Sequence, residues 1–574
     1  MISFALLLAH TALPQEPGAL PQQSMELVSL RPIISTRAQP ETPLFGTMLP
    51  HSSQALDSVD LLHPWTERQG EPDELATLLQ EWHLDASENG LLTIDVTGDS
   101  ILLQAEDALL KDVVRDVKAA LAILGQPIEV TASIFAIDDG APNDTILHAD
   151  QIRELERSSK RLWHNTTTTQ SSVRATFDAL RWSRYVRHTE VEVAQDSSIA
   201  IPVGDLFAEG VRIAVLPHSM INSEDIVIQA QFSIGDLRGL ENASTGAQGH
   251  PNIDLPQIAT AFGAVGARVP SGGGMAVQLS GAEACGSRLL LVVSPRYPTP
   301  RGADTVGKML VAPVSALTNQ SLTSQIQLGN SRPPTADSDD DPYDVVEGDD
   351  SATIAFSEFG PLEEVLMDAL GDSAEISCTI DSGGYLFLSA PAPVREQARS
   401  ILEALQNRMV RNVGVHCAVI AHEVTSASTL ASEAPDGEVL ALHEVALPCL
   451  AGRTSVLFRG IEQNAVEMLQ CEIAQGSSIL SPIVNRQSSG LWAIACPSSD
   501  KSGIDCDMTL QFVYQGPPER RAITPSGMLM LNQSSSVRAQ PRQRFSEQPL
   551  EVAAGTSLML DGRFYQPRLT VACK

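Results

Sequence analysis

The sequence has no apolar run close to the roughly 20 residues that a membrane-spanning helix needs. Basic residues are also few, because 38 Lys and Arg stand against 70 Asp and Glu, for a net charge of −32. A chain this acidic repels nucleic acid, so we expect no nucleic-acid partner. Aromatic residues make up only 4%, but 43% of the 574 residues are apolar, which is enough for several ordinary domain cores.

One segment of the chain occurs twice. Residues 192–232 align with residues 472–512 at a constant shift of 280 positions without a gap. Of the 41 aligned pairs 13 are identical, whereas chance gives about two or three. The identical pairs include Gly210 with Gly490 and Phe232 with Phe512. A repeat of this length is most of a domain, so we predict that the chain is a tandem duplication.

Upstream of the repeated segment, each copy has an amphipathic helix pattern flanked by short strand-like runs. Apolar residues recur at helical spacing in residues 107–121 and 394–405, each time shortly after a Leu-x-Ala sequence. The strand-like runs downstream of these helices are residues 128–137 and 413–420. This order predicts a small α+β domain in each copy.

Downstream the pattern changes, and residues 181–296 and 446–573 show no clear helical period. Runs of β-branched residues alternate with Gly, Ser, Asn and Pro clusters, which is typical of strands and turns. We expect a hairpin within residues 210–232, its counterpart within 490–512, and a second strand pair after each. Each α+β domain is therefore expected to lead into an all-β domain.

The predicted fold class is α+β, as a tandem duplication with six segments. These are a leader and disordered segment (1–70), the α+β domain of copy 1 (71–138), the β domain of copy 1 (139–300), an acidic linker (301–350), the α+β domain of copy 2 (351–422) and the β domain of copy 2 (423–574). Residues 1–12 are similar to the apolar core of a secretory signal without its basic start, which indicates export.

Cysteine is distributed unevenly, since seven of the eight lie in copy 2. No Cys-x-x-Cys occurs, so a zinc ribbon or a thioredoxin-type site is not supported. Three of the cysteines replace apolar residues of copy 1, which favours buried thiols: Cys471 for Val191, Cys496 for Leu216 and Cys506 for Ile226. A disulfide between Cys496 and Cys506 stays open as an alternative, because the predicted hairpin turns near Lys501.

Residues with the chemistry of a catalytic or metal site are sparse. His416 and His422 fall on one face of a strand with Glu423 adjacent, but without a third ligand at a fixed spacing they are better interpreted as histidines at a strand end. Glycines 272–274 lack the lysine and the following helix of a phosphate loop, so they are better interpreted as a hairpin turn.

Residues 337–341 begin like a calcium loop, but Pro342 occupies the place of its glycine and Gly348 that of its last glutamate. We therefore predict that the protein is not an enzyme, and we predict no catalytic, cofactor-binding or metal-binding residues and no cofactor.

The order of strand, Leu-x-Ala, amphipathic helix and the run at residues 128–137 resembles a known family. It is similar to the ring-building repeat of the secretins, the outer-membrane channels of bacterial type II and III secretion systems. The likeness extends to further segments that resemble the β domain of that family, at residues 185–193, 210–217, 226–232, 269–281 and 289–296. The resemblance implies an exported bacterial protein in the periplasm or at the outer membrane. It also implies partners that are the chain itself, as a homo-oligomer, or other secretion-system and envelope proteins.

One departure from the family pattern affects the expected function. Secretins carry a longer insertion with a gate segment between their last two strands, whereas only residues 282–288 connect those strands in copy 1 and 563–568 in copy 2. We therefore expect the scaffold of a secretin without an open channel.

Two functions of different classes follow. The first is a non-enzymatic structural or assembly protein of the cell envelope. The alternative is a soluble exported ligand-binding protein that presents loops from paired β modules. Strand edges discriminate between them, because a self-assembling protein leaves edges free to pair and a solitary binder covers them.

Overall fold

The structure is a computed structural model of the 574-residue chain. It describes residues 23–29, 37–40, 64–67, 76–77, 79–80, 83, 87, 89–97, 100–137, 144–194, 197–243, 252–280, 288–302, 304–317, 360–371, 376–381, 384–424, 439–474, 477–500, 503–515, 519–524, 527–531, 534–539, 542–544, 550–553, 558–560 and 563–573.

Strands dominate, and the described residues contain four α-helices, which agrees with an α+β class. The helices are α1 (Asp107–Leu124), α2 (Ala149–Ser158), α3 (Gly360–Leu370) and α4 (Ala392–Met409), with a 3₁₀ helix at Ser315–Leu317. The strands up to residue 300 are β1 (Gln23–Ser29), β2 (Arg37–Pro40), β3 (Pro64–Glu67), β4 (Leu92–Thr97), β5 (Ser100–Glu106), β6 (Pro127–Ile137), β7 (Ile146–Leu147), β8 (Lys160–Gln170), β9 (Ala175–Ala194), β10 (Ser197–Ser219), β11 (Asp225–Ala243), β12 (Ile253–Pro270), β13 (Gly274–Ser280) and β14 (Arg288–Arg296). The later strands are β15 (Thr305–Val306), β16 (Met309–Pro313), β17 (Ser377–Ile380), β18 (Tyr385–Ser389), β19 (Asn412–Val424), β20 (Val439–Leu450), β21 (Ser455–Ala474), β22 (Ser477–Asp500), β23 (Gly503–Gln515), β24 (Glu519–Thr524), β25 (Gly527–Leu531), β26 (Ser534–Ala539), β27 (Arg542–Arg544), β28 (Leu550–Ala553), β29 (Leu558–Leu560) and β30 (Arg563–Cys573).

The predicted helices are confirmed as α1 and α4, and each packs on a small antiparallel sheet. The first α+β unit is α1 on the sheet β1-β5-β4, and the second α+β unit is α3 and α4 on the sheet β15-β16-β18-β17. Helix α1 buries an apolar stripe at positions three and four apart, which include Leu110, Val114, Val117 and Leu121. It ends at Gly125, because Gln126 precedes Pro127 and is thereby driven out of the helical region.

A long antiparallel sheet forms the centre of the molecule, in the order β26-β23-β22-β21-β12-β11-β10-β9, with β27 also pairing with β23. The hairpins β9-β10 and β21-β22 have matching registers, since Ala194 pairs with Ser197 and Ala474 with Ser477, at the shift of 280 found in the sequence. The predicted hairpins β10-β11 and β22-β23 are confirmed.

Two smaller sheets cover part of one face of the long sheet. Their strand orders are β7-β13-β14-β6-β8 and β20-β19-β30-β28, the second with β29 also on β30. One continuous core joins all three sheets and includes Ile134, Phe177, Phe232, Val415 and Leu491. The apolar alternation along these strands therefore specifies a two-layer β structure shared by both halves of the chain.

Two glycines repeat one detail of the long sheet. Gly210 and Gly490 both have positive φ, at +121° and +145°. A Cβ at Gly210 would lie 2.0 Å from Ala179 O, and a Cβ at Gly490 would lie 2.2 Å from Arg459 O. Only glycine fits so close to the neighbouring strand, which explains why both residues persist in the repeated segment.

The predicted segment boundaries differ from the structure in four places. Strands β6 and β19 were expected inside the α+β domains, but they pair with β14 and β30 in the smaller β sheets. The expected leader contains β1, and the expected linker contains β15, β16 and the 3₁₀ helix. These strands complete the sheets of the two α+β units, because β1 pairs with β5 and β16 with β18.

The expected all-β domain of copy 1 is wrong in one respect, because it contains α2. His148 and Gln151 form a capping box at its start, and the sequence of α2 consists mainly of good helix formers. In copy 2, the predicted connection at residues 563–568 is instead part of β30, which pairs with β29 directly beyond residues 561–562.

The hairpin β22-β23 also decides between the alternatives for Cys496. The register of this hairpin has Asp500 opposite Gly503. The register places Cys506 opposite Pro497, and Cys496 opposite Asp507, so the two cysteines are one position out of step. Cys496 forms no disulfide, and neither does Cys378.

Candidate assembly surfaces

Strand pairing between β12 and β21 joins the two halves of the long sheet. Residues Gln257 to Ala264 pair antiparallel with Gln463 to Val456. A Cβ at Gly263 would lie 2.4 Å from Val456 O. The backbones of β12 and β21 are therefore too close at this position for any residue other than glycine. We call this contact the strand joint.

Three aromatic side chains cross the strand joint. Phe262 on β12 lies opposite Phe458 on β21, which lies opposite Trp492 on β22. The ring centroids are 5.0 Å apart between Phe262 and Phe458 and 4.7 Å between Phe458 and Trp492. All three are buried, and stacked and edge contacts of this kind add about 0.5–1.5 kcal/mol per pair beyond burial. The strand joint is therefore apolar and close-packed.

A second contact joins the two α+β units, and we call it the helix joint. Helix α1 lies in one core with Met309, Val311 and Phe387 on the sheet of the second unit. A Cβ at Gly307, in the turn before β16, would lie 3.0 Å from Asp116 Oδ2 of α1. The other face of the same sheet carries Leu310 and other residues that pack on α3 and α4. The sheet of the second unit is therefore covered on both faces.

A buried polar cluster fixes the 3₁₀ helix between the halves. His218, at the end of β10, has Nδ1 3.0 Å from Ser315 Oγ and Nε2 3.3 Å from Gln229 Nε2. Arg453, in the turn before β21, donates from Nη2 to Ala316 O at 2.6 Å. Burial, followed by the charge of Arg453, lowers the pKa of His218 to about 3, so its ring is neutral at pH 7.

A second polar group attaches α4 to the turn between β10 and β11. Gln406 accepts from Ile221 N at 2.9 Å and donates to Pro313 O at 3.0 Å. Asp304 accepts from Asn222 N at 3.0 Å and from Arg301 Nη2 at 2.7 Å, and both members of this ion pair are buried. These bonds hold the second α+β unit in one orientation on the long sheet.

The long sheet has open edges at both ends among the described strands. Strand β9 pairs with β10 alone, and β26 and β27 pair with β23 alone. Thr176, Asp178 and Ala179 of β9 are exposed. Farther along, Val186 N donates to Asp254 Oδ2 on β12, so the sheet curls there. The open part of β9 is therefore its first half.

The sheet of the first α+β unit has one apolar face that no described residue covers. Met25 is 65% exposed and Leu27 is 61% exposed, and both lie on β1. Leu27 pairs with Leu102 on β5, which is half-buried on the same face. We call Met25, Leu27 and Leu102 the β1 face. The sequence signal for this face is the alternation of apolar and polar residues in 23–29, which is typical of a strand but lies in the segment predicted as a leader.

The residues considered for metal or phosphate chemistry do not converge in the part of the chain that the structure describes. His416 is half-buried in β19, while the side chains of His422 and Glu423 lie outside the description, as do residues 337–348. Within the described residues no group of three His, Cys, Asp or Glu could hold a metal ion. Gly272 forms the turn between β12 and β13, with φ of +80° and its N–H donating to Pro295 O.

No helix in the described ranges is long and apolar enough to cross a membrane. No family model and no curated protein matches the chain. Among solved structures, the chain is similar to the secretin domain of InvG from the Salmonella SPI-1 injectisome, with 14% identity, a TM-score of 0.22 and coverage of 49% of this chain and 89% of that one. It is also similar to the Klebsiella pneumoniae type II secretion system outer membrane complex of PulD, PulS and PulC, with 9% identity, a TM-score of 0.22 and coverage of 97% and 77%. For Aeromonas hydrophila ExeD the values are 10% identity, a TM-score of 0.19 and coverage of 96% and 90%.

Proposed function

We propose that this chain is a non-enzymatic structural or assembly protein of the bacterial cell envelope, similar in construction to secretins and not itself an open channel. Its partners would be other copies of itself or other secretion-system and envelope proteins, in the periplasm or at the outer membrane. The observation that carries the proposal is that β9 and β26, at the two ends of the long sheet, each pair with one neighbour alone among the described strands, since an open edge is a template for another strand.

The polar chemistry of the described residues supports a structural role. His218, Asp304 and Gln406 are buried, and their side chains bond segments that are distant in the chain: His218 with Ser315, Asp304 with Asn222 N, and Gln406 with Ile221 N. Buried polar groups used in this way specify one arrangement of domains rather than a reaction.

The proposal includes the tandem duplication. It is supported by the equal strand registers of β9-β10 and β21-β22 and by the glycines at 210 and 490. Each copy would comprise an α+β domain that starts with its outer strand, β1 or β16, and a β domain with four strands of the long sheet.

Sedimentation velocity and negative-stain microscopy of the full chain, over a wide concentration range, test the proposal. We expect defined oligomers or rings, and recovery of the tagged chain in the periplasmic or outer-membrane fraction of a Gram-negative host. Monomers at every concentration would remove the self-assembling form and favour the alternative, a solitary ligand-binding protein.

A further inference from the structure

We infer that a second copy of this chain binds head to tail, with its first half against the second half of the first copy, through contacts that repeat the strand joint and the helix joint. This inference rests on the proposed self-assembly and specifies its geometry.

The β1 face is equivalent to the surface that α1 covers in the second α+β unit. Gln104 and Ser389 are the middle residues of the two Leu-x-Ala sequences and are therefore equivalent. Gln104 pairs with Met25 and Ser389 pairs with Met309, so Met25 is equivalent to Met309. Two positions farther along, Leu27 is in the same way equivalent to Val311.

These equivalent residues differ sharply in exposure. Met309 is 3% and Val311 is 0% exposed, because α1 packs over them, whereas Met25 and Leu27 are 65% and 61% exposed. An apolar surface that is buried in one unit and open in its equivalent indicates a missing helix on the open one.

Helix α4 of another copy is the matching occupant. It has the same length as α1, 18 residues, and it begins at the same distance after its Leu-x-Ala sequence. Val394, Ile401 and Leu405 are only half-buried against the core of their own unit, so they leave an apolar stripe at the surface. In the helix joint, Asp116 of α1 lies next to Gly307. Ile401 of α4 is the equivalent of Asp116, and Gln23 of β1 is the equivalent of Gly307. Ile401 of one copy would therefore lie next to Gln23 of the other.

The open edges of the long sheet obey the same relation. Phe232 pairs with Gly263, and its equivalent Phe512 pairs with Val537, so Gly263 and Val537 are equivalent. Two residues earlier on each strand, Ala261 is equivalent to Ser535. Ala261 pairs with Arg459, whose equivalent in the first half is Ala179. Pairing of β26 with β9 of a second copy would therefore place Ser535 opposite Ala179.

Both contacts require the second copy on the same side. Strand β26 and helix α4 belong to the second half of one chain, and β9 and the β1 face belong to the first half of the next. One neighbour therefore satisfies both contacts at once. An interface of this kind is heterologous and propagates from chain to chain, closing into a ring when the rotation per chain allows it.

The contact between chains is more polar than the internal one. Asp178 and Arg212 stand at the positions of Phe458 and Trp492, and they form an ion pair with Arg212 Nε 2.7 Å from Asp178 Oδ1. Ser536 stands at the position of Phe262. We therefore expect the assembly to dissociate under conditions in which the internal strand joint persists.

Cross-linking between separately made variants tests the register. Ala179→Cys chains are mixed with Ser535→Cys chains and oxidised, and Gln23→Cys chains are mixed with Ile401→Cys chains and treated with a short bismaleimide. Each variant carries one engineered cysteine, so a peptide joining the two engineered sites has to come from two chains. Mass spectrometry of the digested oligomer separates these links from those of the native cysteines.

Two controls use displaced sites on the same two elements. Ser183→Cys replaces Ala179→Cys, because it is four residues and about 13 Å farther along β9. Glu396→Cys replaces Ile401→Cys, because it lies about 140° away around α4. We expect the matched pairs to yield at least about tenfold more linked peptide than the controls, since a disulfide needs Cα atoms within about 7 Å and a short bismaleimide joins only thiols within its own length.

A second variant tests the β1 face without cross-linking. Leu27→Asp changes an exposed side chain, so the monomer should fold, and we expect the concentration for half-assembly to rise about tenfold or more. Leu240→Asp is the matched control on β11, where the leucine is 49% exposed, and should leave assembly unchanged.

The outcomes separate this inference from the proposed function. Oligomers that give the matched links and respond to Leu27→Asp support both. The head-to-tail geometry is overturned if oligomers form but give only the control links or no links, and if Leu27→Asp leaves their assembly unchanged. The proposed function is not affected by that result. Monomers at every concentration overturn the proposed self-assembly and this inference with it.

Discussion

Replacing Gly263 with alanine should open the strand joint. A Cβ at this position would lie 2.4 Å from Val456 O, 3.2 Å from Phe232 Cζ and 3.3 Å from Leu457 Cα. Two of these three atoms belong to the backbone of β21 and cannot rotate away. The strands β12 and β21 therefore have to separate, which weakens their hydrogen bonds near residue 263.

The magnitude follows from two costs. Overpacking a well-packed site costs about 1–3 kcal/mol. Each backbone hydrogen bond lost from the ladder costs about 1 kcal/mol more. Because the joint pairs only residues 257–264 with 456–463, we expect Gly263→Ala to lower the free energy of unfolding by about 2–4 kcal/mol.

Urea unfolding monitored by tryptophan fluorescence measures this change, since Trp492 lies in the aromatic cluster of the joint. Gly239→Ala is the matched control, because a Cβ there meets nothing closer than Gln257 Oε1 at 3.9 Å. The control should be neutral or stabilised by up to about 1 kcal/mol, as expected for alanine in place of a strand glycine. Equal unfolding midpoints for Gly263→Ala and Gly239→Ala would show that the halves are not held together at Gly263.

Three further predictions concern Asp304, His218 and Cys378. Asp304→Ala leaves the charge of Arg301 without its carboxylate and should lower the free energy of unfolding in urea by about 3–5 kcal/mol, whereas Asp150→Ala removes an exposed pair with Arg153 and should lower it by less than about 0.5 kcal/mol. The pKa of His218 is lowered from 6.5 to about 3, so the unfolded chain binds a proton that the folded chain does not, and stability should fall as pH drops from about 6.5 to about 3. His218→Gln should flatten this part of the pH–stability curve, and a curve as steep as the parent's would contradict the buried neutral ring. Burial, followed by Glu363, raises the pKa of Cys378 to about 12, so iodoacetamide at pH 8 should label it far more slowly in the folded chain than in urea; equal rates would refute its burial.

The elements that sequence reasoning predicted are those whose signal is local. Helices α1 and α4 show a 3.6-residue apolar period over 18 residues, and the β10-β11 hairpin shows strand-like runs around a short turn. Periodicity of this kind depends only on neighbours along the chain.

The elements that it missed depend on distant partners. Strand β16 is a five-residue apolar run, too short to interpret alone, and it becomes a strand by pairing with β18 some 75 residues later. The strand joint connects β12 with β21, nearly 200 residues apart, so no local pattern predicts it. Helix α2 buries only Leu155 completely, and it therefore has a weak apolar stripe.

The strand joint also restricts how many four-strand groups a closed assembly can contain. Because β12 and β21 are joined within one polypeptide, their two four-strand groups always enter any assembly as a bonded pair. A closed circle built from such pairs contains an even number of four-strand groups, and its rotational order equals half that number. Cysteine-rich and cysteine-poor groups would then alternate around the circle, so thiol labelling would mark every second position.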